Sequence, residues 1–393
     1  MIKFPYARPH ITKKDIASVT SAMKNQYLTG GPVIKSFERE LCKSFNVKNA
    51  IVCNSGTAAL HLIYKSLGLC KGDAILTTPI TFIATANAAR MCGANVHFVD
   101  VDPDTGLIIP ELIEAKLKNK KLKIKIVTVV HLGGRICDLE KISKITNKYN
   151  CFLVEDACHA PGTFYKNKKN ETSKVGSCKY SIASSFSFHA IKNITMAEGG
   201  CITTNNNNLS KKVRLKLNHS MVRKPDGRPL KGIPWLYEVS DLGWNYRASE
   251  LNCALGLSQL SRLEKVLNKR KKIAATYKLA LKDVKYLSFP KNAFSINNAW
   301  HLFTIFIEFN KLKFNKSKFV KTLQSAGIGT QVHYIPIFKQ PYYKLKKYES
   351  FKGSEEYYQK SLSIPMYENL QKNDILLISK TIQSIIESNI KNY

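Results

Sequence analysis

The chain has 393 residues, 44% of them hydrophobic with 18 Tyr, 18 Phe and 3 Trp, which is too much apolar material for a disordered polypeptide and too long for one small core. Its 61 Lys and Arg against 28 Asp and Glu give a net charge of +33, so nucleic acid, an anionic membrane or an anionic small molecule come into question as partners. Lysine is spread over nearly every predicted helix and mixes with Asn, as in Lys118-Asn119-Lys120-Lys121, which favours a solvated basic surface over a nucleic-acid-binding regulator; the sequence offers no compact basic recognition helix or aromatic RNA motif.

An arm and a first helix fill residues 1–35, the helix opened by Thr12 with Asp15 three positions on, a capping-box pattern. Leu28-Thr29-Gly30-Gly31-Pro32 breaks the chain before a second helix, about Val33 to Phe45. The strand Ala50 to Cys53 then runs into Asn54-Ser55-Gly56-Thr57 and a helix with apolar spacing at Leu60, Ile63 and Leu67, whose free N–H groups can hold a phosphate. Strands and helices go on alternating: strand Ala74 to Pro79, helix Thr81 to Cys92, strand Val96 to Asp100, helix Pro110 to Leu117, strand Ile124 to His131, helix Leu139 to Tyr149, strand Cys151 to Asp156. Continuous apolar strands separated by helices predict a largely parallel sheet covered on both faces, with ligands at the carboxyl ends of the strands.

Asp156 lies at such a strand end, where a carboxylate either caps the next turn or presents a fixed anion to a heterocyclic cation. Farther on, Ser185-Phe186-Ser187-Phe188-His189-Ala190-Ile191-Lys192 reads as a strand leaving the sheet, with one lysine among apolar and small neighbours. A lysine deprived of solvent loses its charge more easily and becomes a nucleophile toward carbonyl carbon; in the bland alternative it is a surface lysine. Gly199-Gly200 makes a tight turn into the strand Cys201 to Thr204. Helix Leu209 to Asn218, a polar loop Val222 to Pro234 near an opening, and a long helix from Asp241 through Leu263 follow.

From about Lys265 the pattern changes to a basic helix Lys269 to Leu281, a strand Trp300 to Phe309, a helix Lys316 to Ala326, a strand Gly329 to Tyr334 and a helix Asn373 to Ser388. This predicts two domains: 1–265, the N-terminal arm and large domain, and 266–393, a smaller α/β domain. The ten cysteines contain no C-x-x-C pair, which predicts buried free thiols in a reducing compartment and no metal site. No apolar leader opens the chain and no apolar run reaches spanning length, so a cytoplasmic protein without membrane insertion is expected.

A lysine, a phosphate cup and a carboxylate at three strand ends compose a pyridoxal phosphate site. Over essentially its whole length the sequence resembles the DegT/StrS family of sugar-nucleotide aminotransferases. The resemblance rests on seven motifs in order: Asn54-Ser55-Gly56-Thr57-Ala58-Ala59-Leu60, Thr78-Pro79-Ile80-Thr81-Phe82, Glu155-Asp156-Ala157-Cys158-His159-Ala160, Ser187-Phe188-His189-Ala190-Ile191-Lys192, Glu198-Gly199-Gly200, Gly243-Trp244-Asn245-Tyr246-Arg247 and Val332-His333-Tyr334. It implies the fold type I of the aspartate aminotransferase superfamily, a large mostly parallel sheet domain plus a smaller C-terminal α/β domain. Pyridoxal 5'-phosphate is the implied cofactor, passing through its pyridoxamine form. Lys192 would bond the cofactor and move the proton, Asp156 would face the pyridine nitrogen, Phe82 would stack on the ring, and His159 would contact the phenolic oxygen. Gly56, Thr57, Ala58 and Ser187 would hold the phosphate, together with Asn245 from the other subunit of a homodimer with shared active sites. Tyr6, Gln26, Tyr27, Leu28, Thr29, Gln331, Val332, His333 and Tyr334 match positions that contact the sugar nucleotide. Within the family the wording is similar to the pseudaminic acid subgroup, implying transfer from L-glutamate, released as 2-oxoglutarate, to C4 of a UDP-linked 4-keto-6-deoxy-N-acetylhexosamine. The alternative is another keto sugar, carried by dTDP or GDP or reacting at C3. Two departures bear on the acceptor: a longer segment from Val222 to Leu236, and Trp244 before Asn245.

Overall fold

The structure is a computed structural model that describes residues 2–167, 169–222, 232–294, 298–343 and 350–391. Helix α1 (Lys13–Met23) starts on the predicted capping box, with Thr12 Oγ1 accepting from Asp15 N and the Asp15 carboxylate accepting from Thr12 N at 2.7 Å. Helix α2 (Pro32–Phe45) has proline in its first turn and stops at Asn46 in the left-handed conformation.

Alternation then builds the main sheet from β1 (Asn49–Cys53), α3 (Gly56–Ser66), β2 (Ala74–Thr77), α4 (Ala84–Met91), β3 (Asn95–Phe98), α5 (Pro110–Leu117), β4 (Ile124–Val130), α6 (Leu139–Lys148) and β5 (Phe152–Asp156). A short hairpin, β6 (Phe164–Lys166) with β7 (Thr172–Lys174), precedes β8 (Ala183–Ser187) and β9 (Gly200–Thr204). The seven strands lie in the order β1-β9-β8-β5-β4-β2-β3. Only β9 runs against its neighbours, so β1, β5 and β8 bring their carboxyl ends to one edge. Phe37, Phe186 and Phe188 pack on one face, and Leu60, Ile63 and Ile202 pack in a second cluster under α3.

Helix α7 (Asn207–Leu217) leads to the pair β10 (Met221–Val222) and β11 (Glu238–Val239). Residues 223–231 of the loop expected from Val222 to Pro234 lie outside the described residues. The long helix expected through Leu263 is instead two, α8 (Glu250–Leu260) and α9 (Leu263–Leu281). Between them Arg262 leaves helical geometry, at φ −118°, and its guanidinium pairs with Glu368 and bonds to the His10 carbonyl. A tertiary ion pair thus overrides a continuous helical pattern.

The smaller sheet is β12 (Leu287–Ser288), β13 (Phe303–Ile307) and β14 (Ser361–Ile364), all antiparallel, with α10 (Lys316–Ser325), α11 (Lys352–Lys360) and α12 (Lys372–Glu387). The strand expected at Gly329 to Tyr334 does not form. That segment makes a single bridge, Gln331 to Ser363, and β14 takes the place beside β13. The smaller core gathers Tyr277, Phe303, Phe319 and Ile378 and also buries Phe4 of the arm. All ten cysteines are free. Among the described residues no helix is long and apolar enough to cross a membrane.

Candidate active site

The aligned ends of β1, β5 and β8 open into a cavity of about 660 Å³. Asp156, the last residue of β5, is buried there at 6% exposure. Its two oxygens are fixed separately: Thr85 Oγ1 donates to Oδ2 at 2.7 Å and Cys158 N donates to Oδ1 at 3.3 Å. The preceding residue, Glu155, bonds to His131 at 3.0 Å, so adjacent carboxylates have separate partners.

At the start of α3 the N-cap is Ser55, whose Oγ accepts from Ala58 N at 3.1 Å. The first helical N–H groups, those of Gly56 and Thr57, have no carbonyl one turn back, and both residues line the cavity. Glycine is needed at 56 because a Cβ would lie 2.9 Å from Ser187 Cβ, and at 200 because a Cβ would lie 2.3 Å from the Ser55 carbonyl oxygen. These two close approaches press the helix start against β8 and β9. Ala58, expected in the phosphate cup, is buried at 3% exposure and outside the cavity lining, with its N–H taken by Ser55.

Lys192 stands on the loop between β8 and β9. Phe188, fully buried, anchors that loop through Phe188 N to Gly199 O at 2.8 Å and Met196 N to Phe188 O at 2.7 Å. Burial pushes the Lys192 amine below the ordinary lysine value, against the opposing pull of Cys158 and Asp156. His159 accepts from Gly133 N at its Nδ1, 3.2 Å away, so the ring proton sits on Nε2, 3.1 Å from the Tyr334 hydroxyl. Burial, and then Lys192, hold His159 well below the usual histidine range, so the ring is neutral.

Tyr6, Gln331, Val332, His333 and Tyr334 form a common wall of the cavity. The segment stays on β14 at His333, whose Nδ1 bonds to Ser363 Oγ at 2.9 Å, and turns into the cavity at Tyr334, which reaches His159. Burial brings His333 down to about 3. The arm is tied to the same wall by Met366 N to Tyr6 O at 2.9 Å. Phe82 is 57% exposed and its ring lies 6.0 Å from that of Tyr334, so an aromatic face is open at the mouth.

Gln26, Tyr27, Leu28 and Thr29 are exposed and do not line the cavity; Leu28 and Thr29 pair with the start of α8. Asn245 is exposed, bridges Asn218 through its backbone, and also lies outside the lining. Trp244 packs on His61 with ring centroids 4.5 Å apart. Among the cavity residues that sequence reasoning missed, His301 stands against the lysine. His301 Nε2 lies 3.5 Å from Lys192 Nζ although 109 positions separate the two residues, and His301 falls in a segment that reads as ordinary strand.

The main sheet, the smaller α/β domain and the lysine at the strand edge define a transferase of fold type I, in the aspartate aminotransferase superfamily. The chain belongs to the DegT/DnrJ/EryC1/StrS aminotransferase family, whose profile matches residues 9–383. It is 38% identical over 389 residues to the UDP-4-amino-4,6-dideoxy-N-acetyl-beta-L-altrosamine transaminase of Campylobacter jejuni, covering 99% of both chains. To the spore coat polysaccharide biosynthesis protein SpsC of Bacillus subtilis it is 34% identical over 387 residues, covering 98% of this chain and 97% of the other. Among solved structures, Helicobacter pylori PseC, an aminotransferase involved in the biosynthesis of pseudoaminic acid, matches with a TM-score of 0.89 at 32% identity over 98% of this chain and 99% of that one.

Proposed function

We propose that the protein is a pyridoxal-phosphate-dependent aminotransferase that moves the amino group of L-glutamate to C4 of a UDP-linked 4-keto-6-deoxy-N-acetylhexosamine, in pseudaminic acid or related surface glycan synthesis. The observation that carries this reading is the convergence of Lys192, the Asp156 carboxylate and the open helix start at Gly56 on one cavity. The names of the Campylobacter jejuni and Helicobacter pylori relatives support the substrate class.

The residues present fit the cofactor. The glycine cradle between Gly56 and Ser187, with the Thr57 and Ser187 hydroxyls, suits a phosphate; the exposed Phe82 ring suits a planar heterocycle; and the doubly bonded Asp156 suits a ring cation. When bound, the cofactor supplies an aldehyde for the amino group and a ring that accepts the electron pair left at the substrate carbon. Asp156 holds a proton on the ring nitrogen by opposing its charge. Lys192, driven toward the uncharged amine by burial, would be the residue that holds the cofactor, and its Nζ would take and return the substrate proton. His159, neutral with its Nε2 beside the Tyr334 hydroxyl, would contact the phenolic oxygen. Tyr6 and Gln331 to Tyr334 contact the sugar nucleotide.

Asn245 stays outside its own cavity, in keeping with its assignment to the phosphate of a partner subunit in a homodimer; Gln26 to Thr29 are assigned to the sugar nucleotide by the family resemblance alone. The division into 1–265 and 266–393 belongs to the same reading, with the joint near the start of α9. Protein saturated with pyridoxal phosphate is expected to be yellow, and borohydride followed by peptide mass spectrometry to place the cofactor on Lys192. Absence of the band, or trapping at another lysine, rejects the assignment. With glutamate as donor, a UDP-linked 4-keto sugar is expected to gain an amine; preference for a dTDP- or GDP-linked acceptor, or for a 3-keto sugar, refutes the substrate while leaving the class intact.

A further inference from the structure

His301 lines the cavity from a turn of the smaller domain, residues 298–301, which carries it against the lysine. We infer that His301 is a positioning residue: its Nε2 accepts a hydrogen bond from Lys192 Nζ and fixes where the amine points. The two nitrogens are 3.5 Å apart, at the long end of a hydrogen bond, as is common in active sites before substrate tightens them. The imidazole is 4% exposed and packs on the His159 ring with centroids 4.4 Å apart, so it has little freedom to swing.

The turn is fastened from both sides. Arg270, 3% exposed on α9, donates through Nη1 to the carbonyls of Trp300 at 3.0 Å, His301 at 3.4 Å and Met366 at 3.2 Å. Asn298 Oδ1 accepts from Trp300 N at 2.8 Å. From the lysine loop, Asn193 Nδ2 donates to Ala299 O at 2.9 Å. A guanidinium is expensive to bury, and this one ties two carbonyls of that segment, Trp300 and His301, to the carbonyl of Met366. The residue next to Lys192 and the turn that carries His301 are therefore linked directly.

The direction of the contact follows from the other ring nitrogen. His301 Nδ1 is buried and has no hydrogen-bond partner in the described structure, so no contact there sets the tautomer. It is decided at Nε2, where the ammonium form of Lys192 can only donate; facing that form, the ring carries its proton on Nδ1. A buried polar atom without a partner is the kind of cost that persists at functional positions. Asp156, Cys158, His159 and His333 also face Lys192 electrostatically, and Glu198 and Tyr334 share the cavity wall. Burial keeps His301 neutral among them, so it meets the lysine as an acceptor and not as a second cation.

The inference rests on the proposed function only in taking Lys192 as the reacting amine, and its test needs no cofactor. Trace acetylation of Lys192 in cofactor-free protein, followed by peptide mass spectrometry across neutral to alkaline pH, gives the midpoint of the amine. His301→Leu is expected to lower that midpoint by about one unit, because the ammonium form loses its acceptor. His301→Gln, which restores an acceptor oxygen, is expected to stay near wild type. An unchanged midpoint in His301→Leu, or the same shift in both variants, overturns the proposal. If His301→Leu does not fold, ¹⁵N NMR of histidine-labelled wild-type protein decides, the His301 signals being those lost in His301→Gln: hydrogen on Nδ1 is expected, and hydrogen on Nε2 overturns it. Failure of the proposed function shows separately, as absence of borohydride trapping on Lys192 in the wild type.

Discussion

At the scale of single residues, the buried histidines His61 and His333 make the protein acid-sensitive. His61 is brought to about 4 by burial and then Lys65, and His333 to about 3 by burial and then Lys192. Unfolded, each titrates near 6.5, so below that pH the unfolded chain binds more protons; the stability present above 6.5 is lost as pH falls toward the folded values. Each contributes a slope of up to about 1.4 kcal/mol per pH unit. Glu368, held at about 2 by His10 and Arg262 against the opposing effect of burial, adds stability that is present above 4.5 and lost toward 2. Urea midpoints are expected to fall steadily from neutrality to pH 4, and a flat profile contradicts the neutral histidines. Gly56→Ala tests the cradle: its Cβ would crowd Ser187 at 2.9 Å, so pyridoxal phosphate affinity, read by fluorescence titration, is expected to drop about tenfold. Lys192 and Asp156 were legible because strand ends are local patterns. His301 was not, because a histidine inside an apolar run looks like any strand residue.

Elements whose limits depend on neighbours a few positions away were read well. The capping box of α1 is a three-residue interaction, and Thr12→Ala is expected to cost about 1 kcal/mol of stability in urea titration. α5 begins on Pro110 and ends on Leu117 as its composition requires. Two elements were misread, each for a tertiary reason. The apolar spacing from Glu250 onward continues through Leu263, but Arg262 turns out of the helix to reach Glu368, 106 positions away. Val332 to Tyr334 has strand-like side chains, yet beside β14 the segment keeps only the Gln331 bridge and the His333 contact to Ser363, Tyr334 turns to His159 in the cavity, and β14 makes the ladder with β13. Strand propensity expresses fit to a half-buried surface, and that surface was occupied.

For the whole molecule, the net charge of +33 predicts that the basic surface steers an anionic nucleotide sugar, so kcat/KM is expected to fall with added salt; a flat response removes that role. If Asn245 serves the partner subunit, inactive Lys192→Ala and Asn245→Ala proteins mixed during refolding should recover roughly a quarter of wild-type activity, from the one intact site of each mixed dimer. No recovery would place Asn245 outside the shared site. The sequence by itself determined the alternation of strands and helices, and with it the edge where the lysine, the carboxylate and the helix start must meet, because periodicity and small-residue turns are encoded within a few positions. Only the tertiary structure decided that the smaller domain closes the site with His301, held by Arg270, and with His333 and Tyr334. His301 meets Lys192 across 109 positions and Tyr334 meets His159 across 175, and the burial that shifts the lysine and keeps His301 and His333 neutral exists only once those distant segments have packed.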